Sequence, residues 1–107
     1  MITHIVLFRL KPNTSKEKIV GIFNELEVLK GKLFGMNRVS AGECLHGVSG
    51  EPLANFSHGF SIEFTDKKAK DNFISNPAGD KLKQIIIEST EGGIHGIMGF
   101  DINPIEK

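Results

Sequence analysis

The chain has 107 residues, and its 13 Lys and Arg are balanced by 13 Asp and Glu, so the formal net charge is zero. This length is typical of one domain, and we treat residues 1–107 as a single unit. The charge balance provides no basic surplus for nucleic acid or for an anionic membrane, so we expect neither as a partner. The single cysteine, Cys44, excludes an internal disulfide bond.

The sequence contains no apolar segment long enough to span a membrane, and this bears on the location of the protein. The longest apolar runs are too short to span a bilayer, and the first strand pattern begins near Met1 without a signal region. We therefore expect no leader segment and a cytoplasmic location.

The first half of the chain predicts a strand, a helix and a second strand. Residues 2–10 alternate, but both alternate sets are largely apolar, which is typical of a strand buried on both faces. Thr14 and Glu17 fit a capping box, and apolar residues at helical spacing predict a helix over residues 15–30. Weaker alternation predicts a strand over residues 36–45.

The second half begins with a connection over residues 46–55, which is rich in Gly and contains Pro. Asp66 and Asn76 are expected to cap the two helices that follow a third strand. The second half thus predicts a strand over residues 56–65, helices over residues 67–75 and 77–89, and a final strand over residues 94–102. The order β-α-β-β-α(α)-β predicts an α+β, ferredoxin-like protomer with a four-stranded antiparallel sheet and helices on one face.

The other face of this sheet has no predicted cover. Ile5 and Leu7 of the first strand and Ile97 of the last strand are assigned to it. Because the chain has no further element to cover these residues, we expect a homodimer in which two sheets pack face to face. The alternative is an exposed face with a few apolar residues, which is ordinary in soluble proteins.

His4 and His58 stand at the head of the apolar rows of the first and third strands. These strands are neighbours in the ferredoxin-like order, so we expect both imidazoles at one end of a pocket between the sheet and the helices. Either one is a candidate acid or base, because imidazole changes protonation near neutral pH. The alternative is two hydrogen-bonded core histidines. The predicted pocket residues are His4, Val6, Phe8, Phe23, His58, Phe60 and Phe73.

We expect no cofactor and no side-chain metal site. Zinc usually requires three or four protein ligands, and neither His46 nor His95 is placed to complete a site with the strand histidines. No phosphate-binding glycine motif or nucleophile elbow is present.

Three blocks of sequence, MITHIVLFRLKP, NFSHGFSIEFTDKKAKDNFISNPAG and GFDINP, resemble the stress-responsive A/B barrel domain family in their order and spacing. The resemblance spans essentially the whole chain. It implies a ferredoxin-like protomer that pairs through its sheet to form a dimeric α/β barrel.

The sequence also resembles a plant polyketide cyclase of this family, an enzyme that forms a ring in its linear substrate by an aldol reaction. Two of its pocket histidines match His4 and His58. Its catalytic histidine and partner tyrosine match Gly79 and Phe73. Glycine cannot accept a proton and phenylalanine has no hydroxyl for an oxyanion, so we do not expect the same reaction here.

Some plant members of the family bind magnesium through backbone carbonyls after the first helix. The resemblance places the matching carbonyls near Lys30, Leu33 and Met36.

Three functions remain open. The favoured one is a non-catalytic protein that binds a small hydrophobic ligand in the pocket. The second is an enzyme of cyclase, lyase or monooxygenase type that acts on a small hydrophobic carbonyl compound, with His4 or His58 as acid or base. The third is a purely structural dimer with a filled core.

Overall fold

The computed structural model describes residues 1–45 and 55–105. It contains four antiparallel strands in the order β2-β3-β1-β4 and three α-helices. The predicted ferredoxin-like arrangement is confirmed, whereas most of the predicted connection over residues 46–55 lies outside the described residues. The elements are β1 (Ile2–Phe8), α1 (Lys16–Lys32), β2 (Met36–Glu43), β3 (His58–Phe64), α2 (Lys67–Ser75), α3 (Asp80–Ser89) and β4 (Ile97–Ile102).

The N-cap of helix α1 lies one residue later than predicted. The side chain of Ser15, not that of Thr14, accepts a hydrogen bond from the backbone N–H of Lys18. The Thr14 hydroxyl instead donates to the carbonyl of Lys11 at 2.7 Å. The predicted pairing of Thr14 with Glu17 is therefore wrong, because the hydroxyl of Thr14 stabilises the turn that precedes the helix.

Helix α2 begins and ends as predicted. The Asp66 carboxylate accepts from the Ala69 N–H at 2.9 Å, and the Asn76 side chain accepts from the Ala78 N–H at the same distance. The predicted helix over residues 77–89 consists of a 3-10 turn at Pro77–Gly79 followed by α3. Asp66 therefore caps α2, whereas Asn76 caps the 3-10 turn that leads into α3.

The last strand is three residues shorter than predicted. Gly92 and Gly93 take left-handed backbone angles, with φ of 79° and 59°, and lead into a second 3-10 turn at Gly93–Gly96. A side chain at either glycine would be strained in this conformation. The strand therefore begins only at Ile97.

The core lies between the three helices and one face of the sheet. Every second residue of β1 and β3 points into it, because successive side chains of a strand alternate between faces. Among the described residues, no helix is long and apolar enough to cross a membrane. The buried core residues are Phe8, Ile22, Leu26, Leu29, Leu33, Met36, Phe60, Ile62, Phe64, Ala69, Phe73, Leu82 and Ile86.

Candidate functional site

A cavity of about 250 Å³ lies between the sheet and the helices α2 and α3. Its lining is apolar except for His4 and Lys83. The sheet contributes His4, Val6, Phe60 and Ile97, and the helical segments contribute Phe73, Ile74, Leu82, Lys83, Ile86, Ile87 and Ile94.

A glycine of β4 lies beside Val6, one of the residues that line this cavity. Gly99 pairs with Val6 and lies between Ile97 and Asp101 on the helix-facing row of the strand. A Cβ atom built at Gly99 would meet the Val6 side chain at 3.8 Å, which is ordinary van der Waals contact. The backbone therefore accepts a side chain at this position, and its absence leaves space beside Val6.

His4 is held by a carboxylate on the neighbouring strand. Because His4 and Asp101 are cross-strand partners, His4 Nδ1 lies 2.6 Å from Asp101 Oδ1. The imidazole also packs against Phe73, edge-on with ring centroids 6.1 Å apart, and against Phe64 at 6.4 Å. Only 13% of the His4 side chain is exposed, so its ring is fixed in orientation.

A lysine from α2 holds the other oxygen of the same carboxylate. Lys70 Nζ lies 2.9 Å from Asp101 Oδ2 and 3.3 Å from Asp71 Oδ1. Lys67 Nζ bonds the second oxygen of Asp71 at 2.8 Å. A chain of charged groups thus connects the surface of α2 with the imidazole beside the cavity.

These contacts keep the carboxylates ionised. Desolvation raises the pKa of Asp101, but the hydrogen bonds and charges of His4 and Lys70 outweigh it, so the pKa lies below its ordinary value. The hydrogen bonds from Lys67 and Lys70 likewise lower the pKa of Asp71. The hydrogen bond to Asp101, followed by the one to Asp71, raises the pKa of Lys70. Asp101 is therefore an acceptor on both oxygens at neutral pH.

His58 does not share the cavity with His4, and the prediction that the two imidazoles lie close is wrong. Because β1 and β3 are antiparallel, His58 pairs with Phe8, four residues beyond His4 on β1. This offset corresponds to about 13 Å along the strand. His58 Nδ1 lies 2.9 Å from the hydroxyl oxygen of Ser57. That hydroxyl also accepts from the backbone N–H of Leu10, so His58 belongs to a polar contact at the end of the strand.

The remaining predicted pocket residues divide into two groups. Val6, Phe60 and Phe73 line the cavity together with His4. Phe8 is completely buried in the core, and Phe23 is partly buried against that core. Neither of these two phenylalanines is among the residues that line the cavity.

The assignment of Ile97 to the open face of the sheet is also wrong. Ile97 pairs with Phe8 and lines the cavity, so it faces the helices. The strand begins at Ile97 and not at Ile94, and the 3-10 turn that precedes it breaks the alternation on which the assignment depended. Ile5 and Leu7 lie on the open face as predicted, opposite Phe100 and Met98.

Sequence reasoning missed Asp101 and Lys70. Asp101 interrupts an otherwise apolar and glycine-containing strand, and Lys70 lies next to the buried Ala69 on α2. A charged residue in an apolar setting indicates that it has a charged or polar partner, because charged side chains are rarely buried without one. The identity of that partner can be found only from the register of the strands.

The magnesium positions implied by the family resemblance lie along one connection. Lys30 is in the last turn of α1, Leu33 caps that helix and Met36 begins β2. The last turn of a helix leaves carbonyl oxygens without intrahelical partners, and magnesium accepts oxygen ligands together with water. The donor chemistry is compatible with a magnesium ion, and this site stays a prediction. Within residues 1–45 and 55–105, no cluster of His, Cys, Asp or Glu could hold a metal ion.

The fold and the cavity define an α+β protein of the ferredoxin-like class. The chain belongs to the stress responsive A/B barrel domain family, because the model of that family matches residues 2–103. This match confirms the family resemblance of the sequence. No curated protein matches the chain by sequence.

Solved structures support the fold. A protein of Jannaschia sp., described as dimeric, ferredoxin-like and of unknown function, is 22% identical with a TM-score of 0.82. The match covers 96% of this chain and 98% of that chain. An Arabidopsis thaliana protein is 21% identical, with a TM-score of 0.82 and coverage of 100% and 98%. A hydroxynitrile lyase from Passiflora edulis is 20% identical, with a TM-score of 0.76 and coverage of 99% and 96%.

Proposed function

We propose that this protein binds a small apolar molecule in the cavity, with His4 as the polar group that orients it. The observation that carries the proposal is an apolar lining interrupted by one imidazole that Asp101 fixes at 2.6 Å. Ligand sites are typically apolar with a few well-placed polar groups. A cavity of about 150 Å³ holds benzene, so the present volume suits a single ring with a short chain.

Calorimetric titration with propylbenzene tests this binding. We expect saturable binding and a rise in melting temperature, because a ligand at about 100 times its Kd stabilises the folded state by about 2.7 kcal/mol. Ile97→Phe places a larger side chain in the cavity and should abolish saturation. Ile19→Phe, on the partly buried face of α1, is the matched control and should bind like the unsubstituted protein. Equal binding by the two variants would contradict the cavity as the site.

A second candidate function is acid–base catalysis on a small hydrophobic carbonyl compound. It is favoured by the contact between His4 and Asp101, since a base oriented by a third group is the usual arrangement of an activated imidazole. The Passiflora edulis relative is a hydroxynitrile lyase, which makes aromatic cyanohydrins a rational first assay. Cleavage of the C–CN bond would release an aldehyde and hydrogen cyanide, with His4 taking the hydroxyl proton and returning it to the departing cyanide.

The assay compares His4→Ala with His58→Ala. If catalysis occurs, we expect His4→Ala to lose it and His58→Ala to retain it, because only His4 lines the cavity. Activity that survives His4→Ala would refute this role.

We also infer that the protein is a homodimer through the open face of its sheet. Met98, Phe100 and Ile102 are 48%, 43% and 49% exposed in one chain, next to Ile5 and Leu7. The helices among the described residues pack on the opposite face, and the Jannaschia relative is described as dimeric. A second copy that packs sheet against sheet would cover these side chains.

Sedimentation velocity at micromolar concentration tests the dimer. We expect the mass of two chains, and we expect Phe100→Lys to give the mass of one. Phe34→Lys is the control, because Phe34 is also exposed, at 56%, but lies at the turn after α1. A single-chain mass for the unsubstituted protein would refute the dimer.

A further inference from the structure

The contact with Asp101 fixes which nitrogen of His4 carries a proton. Asp101 Oδ1 lies 2.6 Å from His4 Nδ1, and an ionised carboxylate only accepts hydrogen bonds. His4 Nδ1 must therefore donate. In the neutral imidazole the proton is then on Nδ1, and Nε2 presents a lone pair.

The Nε2 atom is the polar atom of His4 that remains for a ligand. Within residues 1–45 and 55–105, no side chain or backbone group bonds it, and no buried side-chain nitrogen or oxygen lacks a partner. Nε2 is therefore accessible. The other polar residue of the lining, Lys83, donates to the carbonyl of Ile74 at the edge of the cavity.

We propose that the cavity selects an apolar molecule that carries a hydroxyl group, an alcohol or a phenol, because the Asp101–Lys70 pair fixes His4 as a hydrogen-bond acceptor. This inference rests on the proposed binding function. A ligand whose polar group only accepts, such as an ether, would place its lone pair against that of Nε2 and leave the imidazole unsatisfied. A carboxylate would meet the same lone pair and would also lose its hydration in an apolar cavity.

In the variant Asp101→Asn, Lys70 should fix the orientation of the new amide group and so change which nitrogen of His4 carries the proton. An ammonium group only donates, so Lys70 should hold the amide oxygen of the new side chain at the position of Oδ2. The amide NH₂ then occupies the position of Oδ1 and donates to His4 Nδ1. The imidazole proton moves to Nε2, which becomes a donor. Because an ether oxygen and a phenol oxygen can both accept from it, the preference for the hydroxyl compound should be lost.

The test uses three probes that share one apolar body: 4-propylphenol, 4-propylanisole and propylbenzene. Titrations are made at pH 8.5, above the ordinary imidazole pKa of about 6.5 and below the ordinary phenol pKa of about 10. We expect the unsubstituted protein to bind the phenol about three- to tenfold more tightly than the anisole, as one neutral hydrogen bond allows. We expect this preference to disappear in Asp101→Asn, because both oxygens can accept from a donating Nε2. The change in the affinity ratio between the two proteins controls for the extra methyl group of the anisole, because both probes are measured in both proteins.

Two further variants complete the experiment. Asp71→Asn makes the same chemical change in a carboxylate that bonds Lys70 and Lys67 but not His4, and it should keep the original preference. His4→Phe should bind the three probes with similar affinity. Far-UV circular dichroism confirms that each variant is folded, and the comparison of phenol with anisole in the unsubstituted protein requires no variant.

The outcomes separate this inference from the proposed function. Equal affinity for all three probes in the unsubstituted protein would overturn the hydroxyl selection and leave apolar binding intact. An Asp101→Asn variant that binds and prefers the phenol by the same factor as the unsubstituted protein would overturn the control of His4 by Asp101 and Lys70. If none of the three probes binds, the proposed function and this inference both fall.

Discussion

The substitution Leu82→Ala tests whether the cavity is an empty space in solution. Leu82 lies on α3, is 2% exposed and lines the cavity on one side. Leu26 lies on α1, is completely buried and packs within the core. Both residues are helical leucines, so Leu26→Ala is a control with the same chemical change and the same change in helix propensity.

The expected costs differ because the two side chains have different surroundings. Leu→Ala in a core costs about 2–5 kcal/mol, with a part that grows by about 24 cal/mol for each Å³ of new cavity. Leu26 has packed neighbours, so we expect about 4–5 kcal/mol for its removal. Leu82 already faces a void of about 250 Å³, loses fewer dispersion contacts and should cost about 2–3 kcal/mol.

Urea unfolding followed by far-UV circular dichroism measures the two costs. Fluorescence is unsuitable, since the chain has no Trp and no Tyr. The protein concentration is held constant because an oligomer makes the apparent stability depend on it. A cost for Leu82→Ala equal to that for Leu26→Ala would refute the reasoning and favour the filled core that the sequence left open.

Three other predictions concern charge, backbone space and capping. The folded-state pKa of Asp101 lies below its ordinary value of 3.8. The Asp101 carboxylate therefore stabilises the folded state above pH 3.8, and this stabilisation is lost as the pH falls through the lowered pKa. In Asp101→Asn, the stability measured by circular dichroism should depend less on pH in this acid range. In thermal melts, Gly79→Ala should stabilise by about 0.4–1 kcal/mol, since its new methyl group would lie 3.4 Å from the Phe73 carbonyl oxygen and 3.9 Å from Lys83 Cε. In contrast, Gly59→Ala should destabilise, because its methyl group would lie 2.7 Å from the Val6 carbonyl oxygen. Asp66→Ala should cost about 1 kcal/mol in urea unfolding through loss of the α2 cap, and no change would contradict the capping role.

The sequence predicts the fold well because its signals are local. Alternation predicts the four strands, and the spacing of apolar residues predicts the helices. Asp66 marks the start of α2, and the step at Asn76 and Pro77 marks its end. The errors are at boundaries, as at Ser15, where two adjacent hydroxyl residues compete for one cap.

The candidate site is harder to predict because it depends on register. His4 and Asp101 are 97 positions apart in the sequence and meet only through the pairing of β1 with β4. The similar positions of His4 and His58 in their strands indicate proximity, but the antiparallel direction of β1 and β3 separates them. A pattern in one strand identifies the face of a residue, whereas its cross-strand neighbour requires the turns and bulges at both ends.

Gly99 is a position at which a single side chain can be added beside Val6, a residue of the cavity lining. Its backbone φ is ordinary and its immediate surroundings leave room for a Cβ atom. A series from Ala through Val to Leu at this position would therefore reduce the space beside Val6 in small steps. Under the proposed binding function, such a series would vary the size limit for ligands while the residues proposed to select them by a hydrogen bond stay unchanged.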